Sequence, residues 1–226
     1  MIAERLHDIE QRISAACRRA GRSRSEVTMV AVTKTLDAGT INEAIRAGAT
    51  VIGENRVQEY LSKRDALLPH EFHLIGHLQR NKVKSILPYC TMIHTVDSIR
   101  LADEIQLQAR QISRRVDVLI EVNASGEESK FGLRPEQVRE VLSHVAGLDC
   151  LRARGLMTVA SLEDDPEAVR PEFRGMRALL AELAAEFPAV RLDHLSMGMT
   201  NDFEVAIEEG STIIRLGTAL FGPRMN

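Results

Sequence analysis

Nowhere in this sequence do about 18 apolar residues run together, the least a membrane-spanning helix needs. Its first residues, Met1 to Arg12, alternate charged with apolar positions, so the apolar centre of a signal peptide is missing too. The chain therefore reads as soluble and cytoplasmic, with no membrane partner expected. A basic block is also absent: 29 Lys and Arg nearly cancel 32 Asp and Glu, leaving a net charge of -3. Nothing in that balance follows a phosphodiester backbone, so nucleic acid is not an expected partner. Cysteine is scarce, and Cys17, Cys90 and Cys150 stand far apart without a C-x-x-C spacing. An odd, dispersed set argues against a disulfide framework and a zinc site, and the three are read as core thiols. No Gly/Ser linker, low-complexity tract or repeat divides the 226 residues, so the reading is one domain spanning 1–226.

What is present is a strict alternation. Met1 to Ala20 carries Ile2, Leu6, Ile9, Ile13, Ala16 and Cys17 at helical spacing and ends at Gly21, where a left-handed cap is expected. Eight short β-branched or apolar runs follow: Val27 to Thr33, Thr50 to Gly53, Phe72 to Ile75, Met92 to Val96, Val116 to Val122, Arg154 to Thr158, Leu192 to Leu195 and Thr212 to Leu216. Between them lie helical patterns at Ile41 to Ala47, Val57 to Leu67, Lys82 to Leu87, Leu101 to Ile112, Pro135 to Val145, Pro166 to Glu186 and Phe203 to Glu208. Thr40 and Glu43 are read as the capping box of the first of these. Strand-helix alternation means a parallel sheet with crossover helices, and eight strands in this length favour closure. The expected fold is α/β, a single (β/α)8 TIM-type barrel with an extra N-terminal helix.

Active sites of such barrels lie at the C-terminal mouth, so the residues just after each run are the candidates. They are Lys34; Glu54 and Asn55; Gly76 to Gln79; Asn123; Met157, which ends the sixth run; Ser196 to Asn201; and Arg215 to Thr218. Glycines and hydroxyl residues in the last two loops suit a phosphate cradle, since they let backbone N–H groups approach an anion. Lys34 closes the run Val30-Ala31-Val32-Thr33, so its amine is expected to enter the mouth from a dry wall and to attack an aldehyde there. His73 and His77 stand four apart, but in a strand that spacing is too long to chelate one ion. No metal is expected, and His73 is read as lining the barrel or supporting its site.

The segments Ala31-Val32-Thr33-Lys34, Gly53-Glu54-Asn55, His73 to Lys82, Ser129-Lys130-Phe131-Gly132, Leu195-Ser196-Met197-Gly198-Met199 and Arg215 to Gly222 together resemble the pyridoxal phosphate homeostasis protein family, over nearly the whole chain. The resemblance implies the barrel of the alanine racemase N-terminal domain. It implies pyridoxal 5'-phosphate held as a Schiff base on Lys34, its phosphate in the last two loops, Asn55 facing its ring and Arg215 against the pyridine nitrogen. The expected cofactor-binding set is Lys34, Asn55, Met157, Ser196, Met199, Thr200, Arg215, Gly217 and Thr218. One departure is visible: Thr200-Asn201-Asp202 stands where the family has serine, a variable residue and aspartate.

An arginine at the ring nitrogen disfavours its protonated form and weakens the cofactor as an electron sink. A racemase then needs a second base, normally a tyrosine from a partner's additional domain. Only Tyr60 and Tyr89 are available, in a helix and a pre-strand loop, and the sequence ends at Asn226 just after the eighth strand's loop. The expectation is a monomeric carrier or buffer of pyridoxal phosphate, without catalytic residues, meeting pyridoxal-phosphate-dependent apoenzymes transiently. An amino-acid racemase is the alternative, and a Schiff-base sugar-phosphate aldolase is a more distant one.

Overall fold

The computed structural model describes residues 1–127 and 129–223; the end of the expected domain, 224–226, lies outside them. The opening helix α1 (Ile2–Arg19) buries the apolar stripe named above. It stops where the sequence predicts: Gly21 takes φ +66°, and the amides of Gly21 and Arg22 turn back onto the carbonyls of Arg18 and Cys17.

Eight strands follow, β1 (Thr28–Val32), β2 (Val51–Glu54), β3 (Glu71–Leu74), β4 (Met92–Val96), β5 (Val116–Glu121), β6 (Leu151–Met157), β7 (His194–Ser196) and β8 (Ile213–Leu216). The helices between and after them are α2 (Ala38–Ala47), α3 (Val57–Lys63), α4 (Val83–Ile86), α5 (Ile99–Gln111), α6 (Val138–Ala146), α7 (Arg170–Glu186), α8 (Phe203–Glu208) and α9 (Thr218–Phe221). Every strand pairs in parallel with its sequence neighbour, and β1 pairs with β8, so the sheet closes into the expected barrel. Among the described residues no helix is long and apolar enough to cross a membrane.

Side chains alternate between two environments. Outward residues such as Met29, Ala31, Ile214 and Leu216 pack with α1, while Val30, Met92, Leu119, Met157 and Ile213 form a plug on the barrel axis. Three expectations are corrected. The cap of α2 is Asp37, whose carboxylate accepts from the Thr40 amide at 3.0 Å, so the helix starts before the Thr40 and Glu43 pair. Strand β6 starts at Leu151, ahead of Arg154, because Arg152 and Arg154 are neutralised by Asp117 and Asp193 at the barrel floor and need no solvent-facing loop. Strand β7 is displaced towards the mouth and ends at Ser196, one residue past Leu195.

Gly155 sits in β6 at φ +150°, and a Cβ there would stand 1.8 Å from the carbonyl oxygen of His194 on β7. Gly155→Ala should cost more than about 2 kcal/mol or prevent folding. Gly175, exposed on α7 with nothing near its missing Cβ, should accept alanine with a gain of roughly 0.5–1 kcal/mol. Urea denaturation of the two variants checks the pair, and equal effects would contradict it.

Candidate functional site

The direction of Lys34 follows from the strand period. Val30 and Val32 face the barrel axis, so the next residue on that face is Lys34, which lines the mouth cavity with Val32. Thr33 turns outward, is fully buried, and donates its hydroxyl to Glu54 Oε1 at 2.7 Å. Lys63 of α3 completes a clamp on this outer side. Its ammonium donates to the carbonyls of Thr33 (2.8 Å) and Leu36 (3.2 Å) and pairs with Glu54 at 2.5 Å and Glu59 at 3.3 Å. The Glu59 carboxylate also accepts the amide of Thr35, a non-glycine residue held at φ +65° directly after Lys34. A buried polar knot therefore fixes the turn that presents the lysine. Glu54, expected in the mouth, belongs to this knot instead, because Gly53 and Asn55 take the inward positions of β2. Burial raises the Glu54 carboxyl above its ordinary range despite Lys63 and Thr33, and its Oε2 has no hydrogen-bond partner.

Beside Lys34, on the neighbouring strands, the loops after β7 and β8 are tied to one another. Gly198 adopts φ +95°, and a Cβ would lie 2.6 Å from that of Ala206, so only glycine lets the loop pass under α8. Asp202 accepts the Met199 amide at 2.5 Å, and Thr200 Oγ1 accepts the Ala219 amide at 3.2 Å, linking the first loop to α9. The amides of Thr200 and Asn201 donate to no other group among the described residues. These loops and Lys34 enclose a cavity of about 550 Å³ whose lining includes Lys34, Met199, Thr200, Arg215, Gly217 and Thr218.

Arg215 forms part of the cavity floor and heads a buried polar chain. It donates Nη1 to Ser196 Oγ at 2.7 Å and Nη2 to the Thr158 carbonyl at 2.8 Å. His94 Nδ1 lies 2.9 Å from the same hydroxyl, and His94 Nε2 lies 3.0 Å from His73 Nδ1. The guanidinium can only donate, and a serine hydroxyl hydrogen given to His94 Nδ1, with the His94 Nε2 hydrogen given to His73 Nδ1, fills every contact of the chain. That sequence requires both imidazoles neutral. Burial agrees, taking His73 down to about 4 and His94 well below its ordinary value, and it brings Arg215 down to about 10.

Asn55 lines a second lobe of the mouth, about 540 Å³, which shares Val159 with the first. Met157 and Ser196 lie one layer lower and line neither lobe: Met157 belongs to the axial plug and Ser196 holds Arg215. His73 supports the site from inside the barrel, as its strand position predicts. Asn123 organises its own loop, donating to the Glu127 carbonyl at 2.8 Å. Lys130, of the Ser129-Lys130-Phe131-Gly132 segment, lines the first lobe and donates to the Ala160 carbonyl at 3.1 Å. Two strand residues, His94 and Glu121, escaped the reading although a titratable group inside an apolar run was a usable signal. Lys63 had none, since only the fold brings α3 beneath the turn of Lys34. Tyr60 stacks on Phe72 at 3.6 Å and Tyr89 lies under the Arg64 guanidinium at 3.9 Å, and neither lines a lobe.

Comparison with known proteins agrees with this geometry. The model of the alanine racemase N-terminal domain family matches residues 5–225. A pyridoxal phosphate homeostasis protein from Aquifex aeolicus is 48% identical over 98% of this chain and 97% of its own length. The crystal structure of PipY from Synechococcus elongatus without PLP superposes with a TM-score of 0.88 at 36% identity, covering 98% of this chain and 100% of that one. The same protein with PLP bound gives 0.85 at 34% identity, with the same coverage.

Two tests follow from the buried carboxyls. Lys63→Met leaves Glu54 without its cation and should cost about 3 kcal/mol at pH 8, and less at pH 5, since burial already favours the protonated carboxyl and acid neutralises the stranded charge. Urea midpoints that do not differ between the two pH values would refute the clamp. Burial pushes Glu121, whose ordinary value is 4.5, up to about 7. A raised carboxyl contributes fully below its unfolded value and loses that contribution as pH rises through the folded one. Stability of the native protein relative to Glu121→Gln should therefore fall from pH 4.5 to beyond 7, by up to about 3 kcal/mol. Thermal melts across that range show the sign directly.

Proposed function

Since the chain belongs to the alanine racemase N-terminal domain family, and within it to the pyridoxal phosphate homeostasis proteins, we propose that it binds pyridoxal 5'-phosphate in the first lobe as a Schiff base on Lys34. It holds the cofactor as a carrier or buffer, delivering it by transient contact with apoenzymes. One observation carries this reading: Lys34 enters, free of ion pairs among the described residues, a cavity that is lined as well by the Thr200 and Gly217-Thr218 loops.

The residues fit the group. Lys34 offers the amine, the hydroxyls of Thr200 and Thr218 and the unpaired loop amides suit a phosphate dianion, and Asn55 in the adjoining lobe can reach across to ring substituents. When bound, pyridoxal phosphate supplies the aldehyde for the lysine and, in enzymes, a ring that withdraws electrons. Arg215 stands at the floor as a buried cation whose Nη1 and Nη2 donors are anchored to Ser196 and Thr158, and a cation there opposes protonation of the ring nitrogen. No described tyrosine reaches the mouth to act as a second base. Holding the cofactor, without turning over an amino acid, is the role these groups support.

Purified protein loaded with pyridoxal phosphate should absorb in the visible region, retain the cofactor covalently after borohydride reduction, and lose both properties in Lys34→Ala. A colourless protein that binds sugar phosphates would favour the aldolase reading, and rapid conversion of an L-amino acid to its D form would replace the carrier with a racemase.

A further inference from the structure

Glu121 ends β5 on its inward face. It is only 7% exposed, its Oε2 has no hydrogen-bond partner, and it lines the second lobe. An open acceptor on a buried carboxyl is costly unless a donor reaches it, and among the described residues nothing does. Val57, Ile75 and Phe131 give the lobe apolar wall, with Phe131 stacked on His77 at 4.2 Å between ring centroids, and the amides of Asn55, Gln58 and Gln79 line it as well. Arg56 and Lys82 line the same lobe, and neither makes an ion pair among the described residues.

These charges restrict the occupant. A plain cation would satisfy Glu121 but approach past Arg56 and Lys82, whereas a plain anion would satisfy those two and face Glu121. A molecule carrying an ammonium at one end and an anionic group at the other satisfies all three. We propose that the second lobe binds a small zwitterion with the chemistry of a free amino acid, its ammonium on Glu121 and its anionic end on Arg56 and Lys82. The volume of about 540 Å³ is ample for such a ligand. A charge-assisted hydrogen bond from the ammonium compensates the buried carboxylate. This site is distinct from the lobe of Lys34 and does not require the cofactor to be in place.

Binding carries a proton signature. The charged groups acting on Glu121 are Asp97, just after β4, which adds to the effect of burial, and Arg215 on β8, which opposes it; His77, Arg56 and Lys82 share its lobe. With the carboxyl at about 7, an ammonium ligand stabilises its ionised form and expels the proton. At pH 7 this releases roughly half a proton per ligand bound.

Calorimetric titration at pH 7 in two buffers of different ionisation enthalpy reads affinity and proton release together. Glycine serves for the cofactor-free protein. For the loaded protein the probe is N,N-dimethylglycine, whose tertiary ammonium keeps one N–H but cannot condense with an aldehyde. Both should bind with proton release, and acetate or ethylamine alone should bind at least tenfold more weakly. Glu121→Gln should remove the proton release and weaken glycine at least tenfold. Arg56→Ala combined with Lys82→Ala, both on the surface side of the lobe, should weaken glycine while leaving ethylamine unchanged. Absence of binding, binding without proton release, indifference to either set of substitutions, or loss of N,N-dimethylglycine binding once pyridoxal phosphate is present would each overturn the proposal. A colourless protein that still passes would count against the Lys34 reading alone.

Discussion

Closing eight parallel strands into a barrel leaves each strand two faces, one towards the axis and one towards the helices, and every group at the mouth inherits its direction from that alternation. Lys34 enters the mouth because Val30 and Val32 precede it on the inward face. Glu54 cannot, because Gly53 and Asn55 hold the inward positions of β2. Shifting either strand by one residue would exchange the lysine for a threonine and put a carboxylate where Asn55 stands. The plug of Val30, Met92, Leu119, Met157 and Ile213 resists such a shift, since it would drive these side chains into the helix layer.

The same alternation commits polar groups to the axis, where each must be satisfied locally. Arg215, Ser196, His94 and His73 solve this as one hydrogen-bonded chain across four strands. Both histidines are consumed as neutral struts, which removes them as proton donors at neutral pH. Lys63, Glu54 and Thr33 solve it on the outer face. Among the buried side-chain atoms described, only Glu54 Oε2 and Glu121 Oε2 remain open, and they differ in what they face. The first is sealed behind a strand and stabilises a turn. The second belongs to a residue that lines a lobe, where a bound donor comes within reach of its carboxylate.

The barrel was legible because its signal is repeated: eight apolar runs alternating with amphipathic stretches leave few other ways to bury them. Boundaries failed where charge compensation was invisible. Arg152 and Arg154 look like loop residues until Asp117 and Asp193 are seen beside them, and Thr40 looks like a cap until Asp37, three residues earlier, takes the role. Six of the nine expected site residues line one cavity, since Arg215 faces inward near the end of β8 and the others lie within four residues after a strand, where the fold sends the chain to the mouth. Met157 and Ser196 end β6 and β7 and are buried inside the barrel, Met157 in the axial plug and Ser196 against Arg215, so they border neither lobe.

The amino-acid order alone determined the number of strands, their closure, the lysine after the first of them and the glycine and hydroxyl loops after the last two. All of these are local patterns whose meaning depends on neighbours in the chain. Only the tertiary structure decided which polar groups share an environment: Lys63 beneath the turn of Lys34, His94 against Ser196, Glu121 open to a second lobe beside Arg56 and Lys82. Those pairings join residues on different elements, in the case of His94 and Ser196 about a hundred positions apart. Their energies depend on burial and dielectric, which no stretch of sequence carries by itself.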